Sequence, residues 1–170
     1  MRSSLAILLS TVALFAQSDE FRVYSDAPRL LLTGQRLRLL QRERERDSLR
    51  WQSFNALISG GATMPEPGFA WALYYRTSGQ ITWGKKAADW ALSDDSKDLR
   101  QLALVFDWCG PVMTEAQADR LGAKLQRALA ASAAGDVRQQ SARALAAIAL
   151  ADRVADHGES VLKPLIEEWW

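Results

Sequence analysis

Three consecutive residues near the middle of the chain, Asp107, Trp108 and Cys109, carry side chains that could do chemistry. An acid beside a thiol could serve acid–base or nucleophilic catalysis if a base lay close to them. The single histidine, His157, is far along the chain in the loop-like sequence ADHGES. We therefore interpret Cys109 as a small buried hydrophobic residue at a helix end.

Asp107 is expected in the last turn of its helix, where a negative charge opposes the helix dipole by about 0.3 to 1 kcal/mol. The sequence thus predicts a compensating partner, either an arginine of a neighbouring helix or a loop amide. A structural role is favoured over catalysis because neither a base nor a nucleophile is identifiable near Asp107. Trp108 would then fill the joint between two helices.

A second set of candidate residues ends another predicted helix, in the sequence WALYYR. It combines aromatic rings with a guanidinium, which could contact a sugar ring and its carboxylate. Tyr75 and Arg76 are the predicted substrate-binding residues. The alternative interpretation is that Trp71, Tyr74 and Trp90 belong to the core.

The composition excludes several classes of function. The 170 residues carry 21 Lys and Arg against 20 Asp and Glu, a net charge of +1, so no broad attraction to nucleic acid is expected. One cysteine cannot form an intrachain disulfide, and one cysteine with one histidine cannot form a Cys/His zinc cluster. The sequence predicts neither a metal nor another cofactor.

The first 18 residues have the layout of a secretory signal peptide. Arg2 precedes an apolar run from Leu5 to Ala16 that is too short to span a bilayer as a helix, and small residues at Ala16 and Ser18 fit cleavage after Ser18. We expect an exported protein, periplasmic or secreted, in which residues 19–170 form one helical domain. Its contact with a membrane would be limited to the signal segment.

The remaining sequence predicts helices joined in antiparallel pairs, with no strand of useful length. Thr33 is the expected N-cap of the first helix, and the charged run QRERERD is interpreted as a solvated helix face. Thr114 and Gln117 form a capping-box pattern. Asp136 would cap a last long helix that runs through VRQQSARALAAIALADRVAD. That helix is expected to pack through Val137, Ala144, Leu145 and Ile148.

These pairs predict an all-α fold, with the antiparallel hairpins either closed into part of an (α/α) toroid or stacked as a solenoid. The chain ends in Trp169 and Trp170 without a polar tail. Two terminal tryptophans would expose a large aromatic surface, so we expect a further domain or a partner to cover them.

Several segments in succession resemble one enzyme family. PRLLLTGQRLRLLQ, EPGFAWALYYRTSG, KKAADWAL and LRQLALVFDWCGPVMTEAQADRL, in this order, are similar to the amino-terminal part of the heparinase II/III-like polysaccharide lyases and their alginate-lyase relatives. The resemblance covers roughly residues 28 to 130. It implies an exported (α/α) toroid whose full-length form cleaves uronic-acid polysaccharides by β-elimination.

Such an elimination needs a base for the proton beside the carboxylate, and groups that neutralise that carboxylate. The Asn and His motifs of the family have no counterpart after Leu129, so no catalytic residue is transferred to this chain. The leading hypothesis is the amino-terminal segment of a polysaccharide lyase that is inactive by itself. The alternatives are a noncatalytic helical scaffold that binds proteins and a noncatalytic carbohydrate-binding toroid.

Overall fold

The computed structural model describes residues 27–133, 135–154 and 158–169. Within these ranges all regular elements are helices and there are no strands, which confirms the all-α prediction there. The predicted signal segment, residues 19–26, His157 and Trp170 lie outside the described residues, as does the side chain of Trp169. The elements are α1 (Gly34–Glu45), α2 (Leu49–Ser59), α3 (Pro67–Ser78), α4 (Ile81–Leu92), α5 (Leu99–Cys109), a 3₁₀ turn (Gly110–Val112), α6 (Glu115–Ala131), α7 (Val137–Ala149), a π-helical turn (Gly158–Leu162) and α8 (Lys163–Trp169).

Helix α5 lies at the centre of the fold and contacts α3, α4, α6 and α7. The helical spacing of Leu99, Leu102, Ala103 and Phe106 indicates one apolar stripe on this helix. The structure buries nearly the whole circumference instead, because neighbours pack on several sides and also cover Leu104 and Val105. The main hydrophobic core is therefore organised around α5.

Helices α3 and α4 form the predicted antiparallel hairpin. Gly79 ends α3 in the left-handed conformation, with a φ of 77°, which a glycine adopts without strain. Two other glycines allow the helices to approach closely. A Cβ on Gly68 would lie 2.1 Å from the Trp90 ring, and one on Gly84 would lie 2.9 Å from the Tyr75 ring.

The predicted helix starts are confirmed by their side-chain caps. The hydroxyl of Thr33 accepts a hydrogen bond from the amide of Arg36 at the start of α1. Thr114 and Gln117 form both bonds of the capping box at the start of α6. The carboxylate of Asp136 caps α7.

Two features differ from the sequence-based expectation. The charged run QRERERD does not lie wholly on a helix, because α1 ends at Glu45, Asp47 takes a φ of 48° and Ser48 caps α2. Helix α7 ends at Ala149, short of the predicted end, and Val137 is 60% exposed rather than packed. Alanines 146, 147 and 149 provide the buried face of α7, so it approaches its neighbours closely.

The carboxyl ends of three helices are closed by cations from other parts of the chain. The Arg44 guanidinium donates to the carbonyl oxygen of Ser78 at 2.7 Å, at the end of α3. The Lys124 ammonium donates to the Ala91 and Ser93 carbonyls at the end of α4, and burial lowers the pKa of Lys124. Arg143 donates to Ser132, after α6. Exposed carbonyls at helix ends favour such positive charges.

In the described ranges, no helix combines the length and the apolar character that crossing a membrane would require.

Candidate functional site

The joint between α5 and α6 holds the segment that precedes α1. Asp107, in the last turn of α5, accepts hydrogen bonds from the backbone amides of Arg29 and Leu30, both at 2.9 Å, through one carboxylate oxygen, Oδ2. Its other oxygen, Oδ1, lies 3.3 Å from Nε of Arg29. Both predicted kinds of partner, an arginine and loop amides, are therefore present, although the arginine belongs to the lead-in segment and not to a helix.

We call residues 27–32 the strap. Trp108 holds it by donating from its indole nitrogen to the carbonyl oxygen of Leu30 at 2.9 Å. Leu31 turns outward with a φ of 55°, an uncommon conformation for a non-glycine residue, so that both Leu30 and Leu32 enter the core. Trp108 is itself buried, as expected of a residue that fills the joint.

Arg29 links the strap to two helices. Its guanidinium also approaches the carbonyl oxygen of Ile148 in α7, at 3.4 Å, and forms an ion pair with Asp152. The side chains of Arg29 and Asp107 are only 7% and 1% exposed. Burial raises the pKa of the Asp107 carboxyl, and the Leu30 amide and the Arg29 charge act in the opposite direction. The hydrogen-bond partners of Asp107 and its ion-pair partner thus belong to the strap, and the Arg76 charge of α3 adds a further stabilising effect on the carboxylate.

Cys109 occupies the position predicted for it, buried at the end of α5. Burial raises the pKa of its thiol to about 12, against an ordinary value of 9.0. A nucleophilic cysteine needs a lowered pKa and access to solvent. Cys109 has neither property, so the joint has the features of a structural contact.

The two predicted substrate-binding residues lie at the end of α3, and the Arg76 charge acts on the joint, because it works to lower the pKa of both Asp107 and Cys109. Tyr75 is 9% exposed, belongs to the main core and packs on Gly84. The guanidinium carbon of Arg76 lies 5.9 Å from the centroid of the Tyr75 ring. Nε of Arg76 is buried and has no hydrogen-bond partner among the described residues. Arg76 thus keeps unused donor capacity, while Tyr75 offers little free ring surface.

A second aromatic group, which the sequence did not single out as a site, lies on α2, α3 and α4. Tyr74 is at its centre and is buried, and its hydroxyl donates to the side chain of Asn55 at 2.6 Å. Trp51 stacks on Tyr74 with centroids 5.4 Å apart, and Trp83 meets it edge-on at 5.5 Å. We call the set Trp51, Phe54, Trp71, Tyr74 and Trp83 the aromatic face.

The outer rings of the aromatic face are only partly buried. Trp51, Phe54, Trp71 and Trp83 all retain some solvent exposure, and Lys86 is exposed beside them. Nζ of Lys86 lies 4.4 Å from the centroid of the Trp71 ring and 4.7 Å from that of Trp83. The face therefore combines partly exposed indole rings with a positive charge. The sequence predicts this combination of an aromatic ring and a positive charge at Tyr75 and Arg76.

Spacing in the sequence contained part of this signal. Trp83 and Lys86 are three residues apart and therefore share one side of α4. The contribution of Trp71 depends on how α3 packs against α4, which the sequence does not specify. The alternative interpretation places Trp71, Tyr74 and Trp90 in the core. Tyr74 is buried, as that interpretation predicts, whereas Trp71 and Trp90 are only partly buried.

In the described part of the chain, no group of three or more His, Cys, Asp and Glu side chains could hold a metal ion. Neither a family model, nor a curated protein, nor a solved structure matches this chain.

Proposed function

We propose that this chain is the amino-terminal helical segment of an exported polysaccharide lyase that acts on uronic-acid polysaccharides by β-elimination, and that the segment binds the polysaccharide without cleaving it. The observation that carries the binding role is the aromatic face, where partly exposed indole rings lie beside an ammonium group. The family resemblance of residues 28 to 130 supports the lyase context. The segment 1–18 would direct export.

The chemistry of the aromatic face suits an acidic sugar. Indole rings offer flat apolar surfaces with a polar edge, and such surfaces can pack against the CH groups of a sugar ring. Exposed aromatic surface on a soluble domain often marks a binding site. The Lys86 ammonium can pair with a carboxylate. Trp51, Trp71 and Trp83 come from three different helices, α2, α3 and α4, so a ligand bound to the face would contact all three.

The described residues offer poor candidates for the elimination itself. A base must be accessible to the proton that it removes. Asp107 is committed to the strap, and the Cys109 thiol is buried with a raised pKa. We therefore propose that the catalytic groups come from another part of the full-length protein, which would also complete the (α/α) toroid and cover Trp169 and Trp170.

The binding role is tested by affinity electrophoresis of residues 19–170 in gels that contain polygalacturonate or a neutral glucan. We expect polygalacturonate to retard the protein and the glucan not to. Trp83→Ala should weaken the retardation about tenfold, because it removes a ring of the face. Ile81→Ala is the matched control, since Ile81 is an exposed apolar residue on the same helix but outside the face.

The same samples are assayed for ultraviolet absorbance of unsaturated uronate, and we expect none from this segment. Absence of retardation by polygalacturonate and other acidic polysaccharides would overturn the binding role. Formation of unsaturated uronate would overturn the assignment of catalysis to another part of the protein.

Tyr75 and Arg76 remain predicted substrate-binding residues and have a separate test. The double variant Tyr75→Phe, Arg76→Gln keeps the ring that packs on Gly84 and removes the hydroxyl and the charge. Weaker retardation by polygalacturonate, with an unchanged midpoint of thermal unfolding, would support a role for this pair. Unchanged retardation by polygalacturonate would show that Tyr75 and Arg76 are not substrate-binding residues.

A noncatalytic scaffold that binds proteins is the second candidate, favoured by the surface of α1 and α2. Helix α1 buries none of its residues, and Leu39, Leu49 and Leu57 are largely exposed, Leu49 by 80%. An apolar patch formed by these leucines on two helices that contact each other would suit a protein partner. Sedimentation of the wild type and of Leu39→Ser, Leu49→Ser tests self-association through this surface. A monomer in both cases would count against contacts between copies of the chain.

A further inference from the structure

We propose that Lys86 is a charge-sensitive cover of the aromatic face, which admits an anionic carbohydrate to the Trp71 and Trp83 rings and excludes a neutral one. This inference rests on the proposed binding function and adds a mechanism of selectivity. It follows from where the ammonium lies and from what holds it there.

The ammonium occupies the ring surface that a sugar would use. Nζ lies 4.4 and 4.7 Å from the two ring centroids, within the range of a cation–π contact. Lys86 reaches Trp83 from the next turn of α4 and reaches Trp71 across the α3–α4 hairpin. A sugar that stacks on the ring surface beneath Nζ must therefore move the lysine side chain away.

The π faces are the principal contacts that hold the ammonium. Within the described ranges, no carboxylate forms an ion pair with Lys86, including Asp89 one turn further along α4. Cation–π contacts at exposed positions are weak, so a better partner can draw the ammonium away. Lys86 is exposed and lies on a flexible four-carbon stem, so it can follow an incoming anion.

An anionic and a neutral sugar face different consequences when they move Lys86. The carboxylate of an anionic sugar forms an ion pair with Lys86, which replaces the lost cation–π contacts. The ring of the same sugar then packs on the uncovered indole surface. A neutral sugar gains the ring surface but leaves the ammonium without a partner. Two lost contacts of this kind correspond to roughly a tenfold preference for the anionic ligand.

Plain electrostatic attraction would also favour an anion, but it makes a different prediction for a neutralised lysine. Attraction alone predicts that Lys86→Gln weakens anionic binding and leaves neutral binding as it was. A cover predicts in addition that neutral binding becomes stronger, because the glutamine side chain has no cation to hold over the rings. The gain of neutral binding is therefore the diagnostic result.

The experiment is calorimetric titration of residues 19–170 with a galacturonate oligosaccharide and with its fully methyl-esterified form, which has the same backbone without charge. We expect the wild type to prefer the charged form about tenfold. Lys86→Gln should bind the charged form more weakly and the esterified form several-fold more tightly. Lys85→Gln, on the same helix and with no cation–π contact among the described residues, should behave as the wild type.

Each other outcome has a definite meaning. If the wild type binds the charged form but Lys86→Gln binds the esterified form no better than the wild type does, the proposal that Lys86 is a cover is overturned. The proposed function is not affected by that result. Equal changes in Lys85→Gln also overturn the proposal that Lys86 is a cover, because the effect would then belong to net charge. Failure of wild type and variant to bind either oligosaccharide overturns both the cover and the proposed function. Circular dichroism of both variants checks that the exposed substitutions leave the fold intact.

Discussion

The two hydrophobic clusters of this protein differ in composition and in how completely their side chains are buried. The main core surrounds α5, is rich in leucine and alanine, and includes the fully buried Trp108. The second cluster buries only Ile58, Ala70 and Tyr74, and most of its remaining members are partly exposed aromatic residues. Both clusters contain tryptophan, but the indole of Trp108 has a hydrogen-bond partner in the interior, whereas the tryptophans of the aromatic face remain partly exposed to solvent.

This difference separates residues that hold the fold from residues that are free to bind. In the main core, the polar groups of Asp107 and Trp108 are engaged by the strap. In the aromatic face, the polar group beside the rings is an ammonium held by weak contacts. Substitutions should therefore change stability in the first region and binding in the second.

The largest expected effect comes from truncating one tryptophan in each region. Trp108→Ala should lower the free energy of unfolding by about 4 kcal/mol, because it leaves a cavity in a close-packed core. Trp51→Ala should lower it by about 1.5 kcal/mol, because Trp51 is half-buried and loses mainly its stacking on Tyr74. Urea titration followed by circular dichroism measures both values. Equal losses of unfolding free energy in the two variants would contradict the distinction between the clusters.

A second expected effect concerns the thiol in the main core. With a pKa of about 12, Cys109 should react with a thiol reagent at pH 9 at least about a hundredfold more slowly in the folded protein than in urea. A folded-state pKa above the unfolded value means that this group favours folding below about pH 9, and that its contribution is lost as the pH rises towards 12. Cys109→Ala should therefore reduce the alkaline loss of stability. Rapid labelling of Cys109 in the folded protein would contradict its burial in the main core.

The smallest expected effect is the loss of charge at the joint. Asp107→Asn keeps an oxygen for the two amides and removes the ion pair with Arg29, which retains Asp152 as a partner. Breaking a fully isolated buried pair costs about 3 to 5 kcal/mol, so about 2 kcal/mol is expected here. Urea titration measures this loss, and Asp89→Asn, at an exposed position of α4, should cost almost nothing in the same titration. A variant of Asp107 that keeps full stability but loses ligand binding would restore a functional role for the joint.

Local features of the fold could be predicted from the sequence because they depend on neighbouring residues. Thr33, Thr114 and Asp136 cap helices by bonding amides within the next turn. The α3–α4 hairpin follows from a short linker with glycine at the position that needs a positive φ. The break at Asp47 and Ser48 also had a local signal, a serine that could cap a new helix, but the charged run around it favoured a continuous helix.

The remaining features depend on contacts between distant residues. The need of Asp107 for a compensating partner could be predicted, but its identity could not, since Arg29 is 78 residues away in sequence. The burial of α5 on several sides likewise depends on where four other helices lie. At the candidate site, the sequence pointed to Tyr75 and Arg76, one turn of α3 away from Trp71, because periodicity alone does not decide which rings of an aromatic helix remain accessible.

The strap also sets an order of events for folding. Its contacts reach Asp107, Trp108, Ile148 and Asp152, up to 123 residues away, so they can form only after both α5 and α7 are available. A chain made from its amino end produces the strap first and can dock it only when the stretch through Asp152 has emerged. Part of the main core therefore stays open until that stretch has emerged, and a nascent chain held extended before that point has not yet acquired the contacts that close the core.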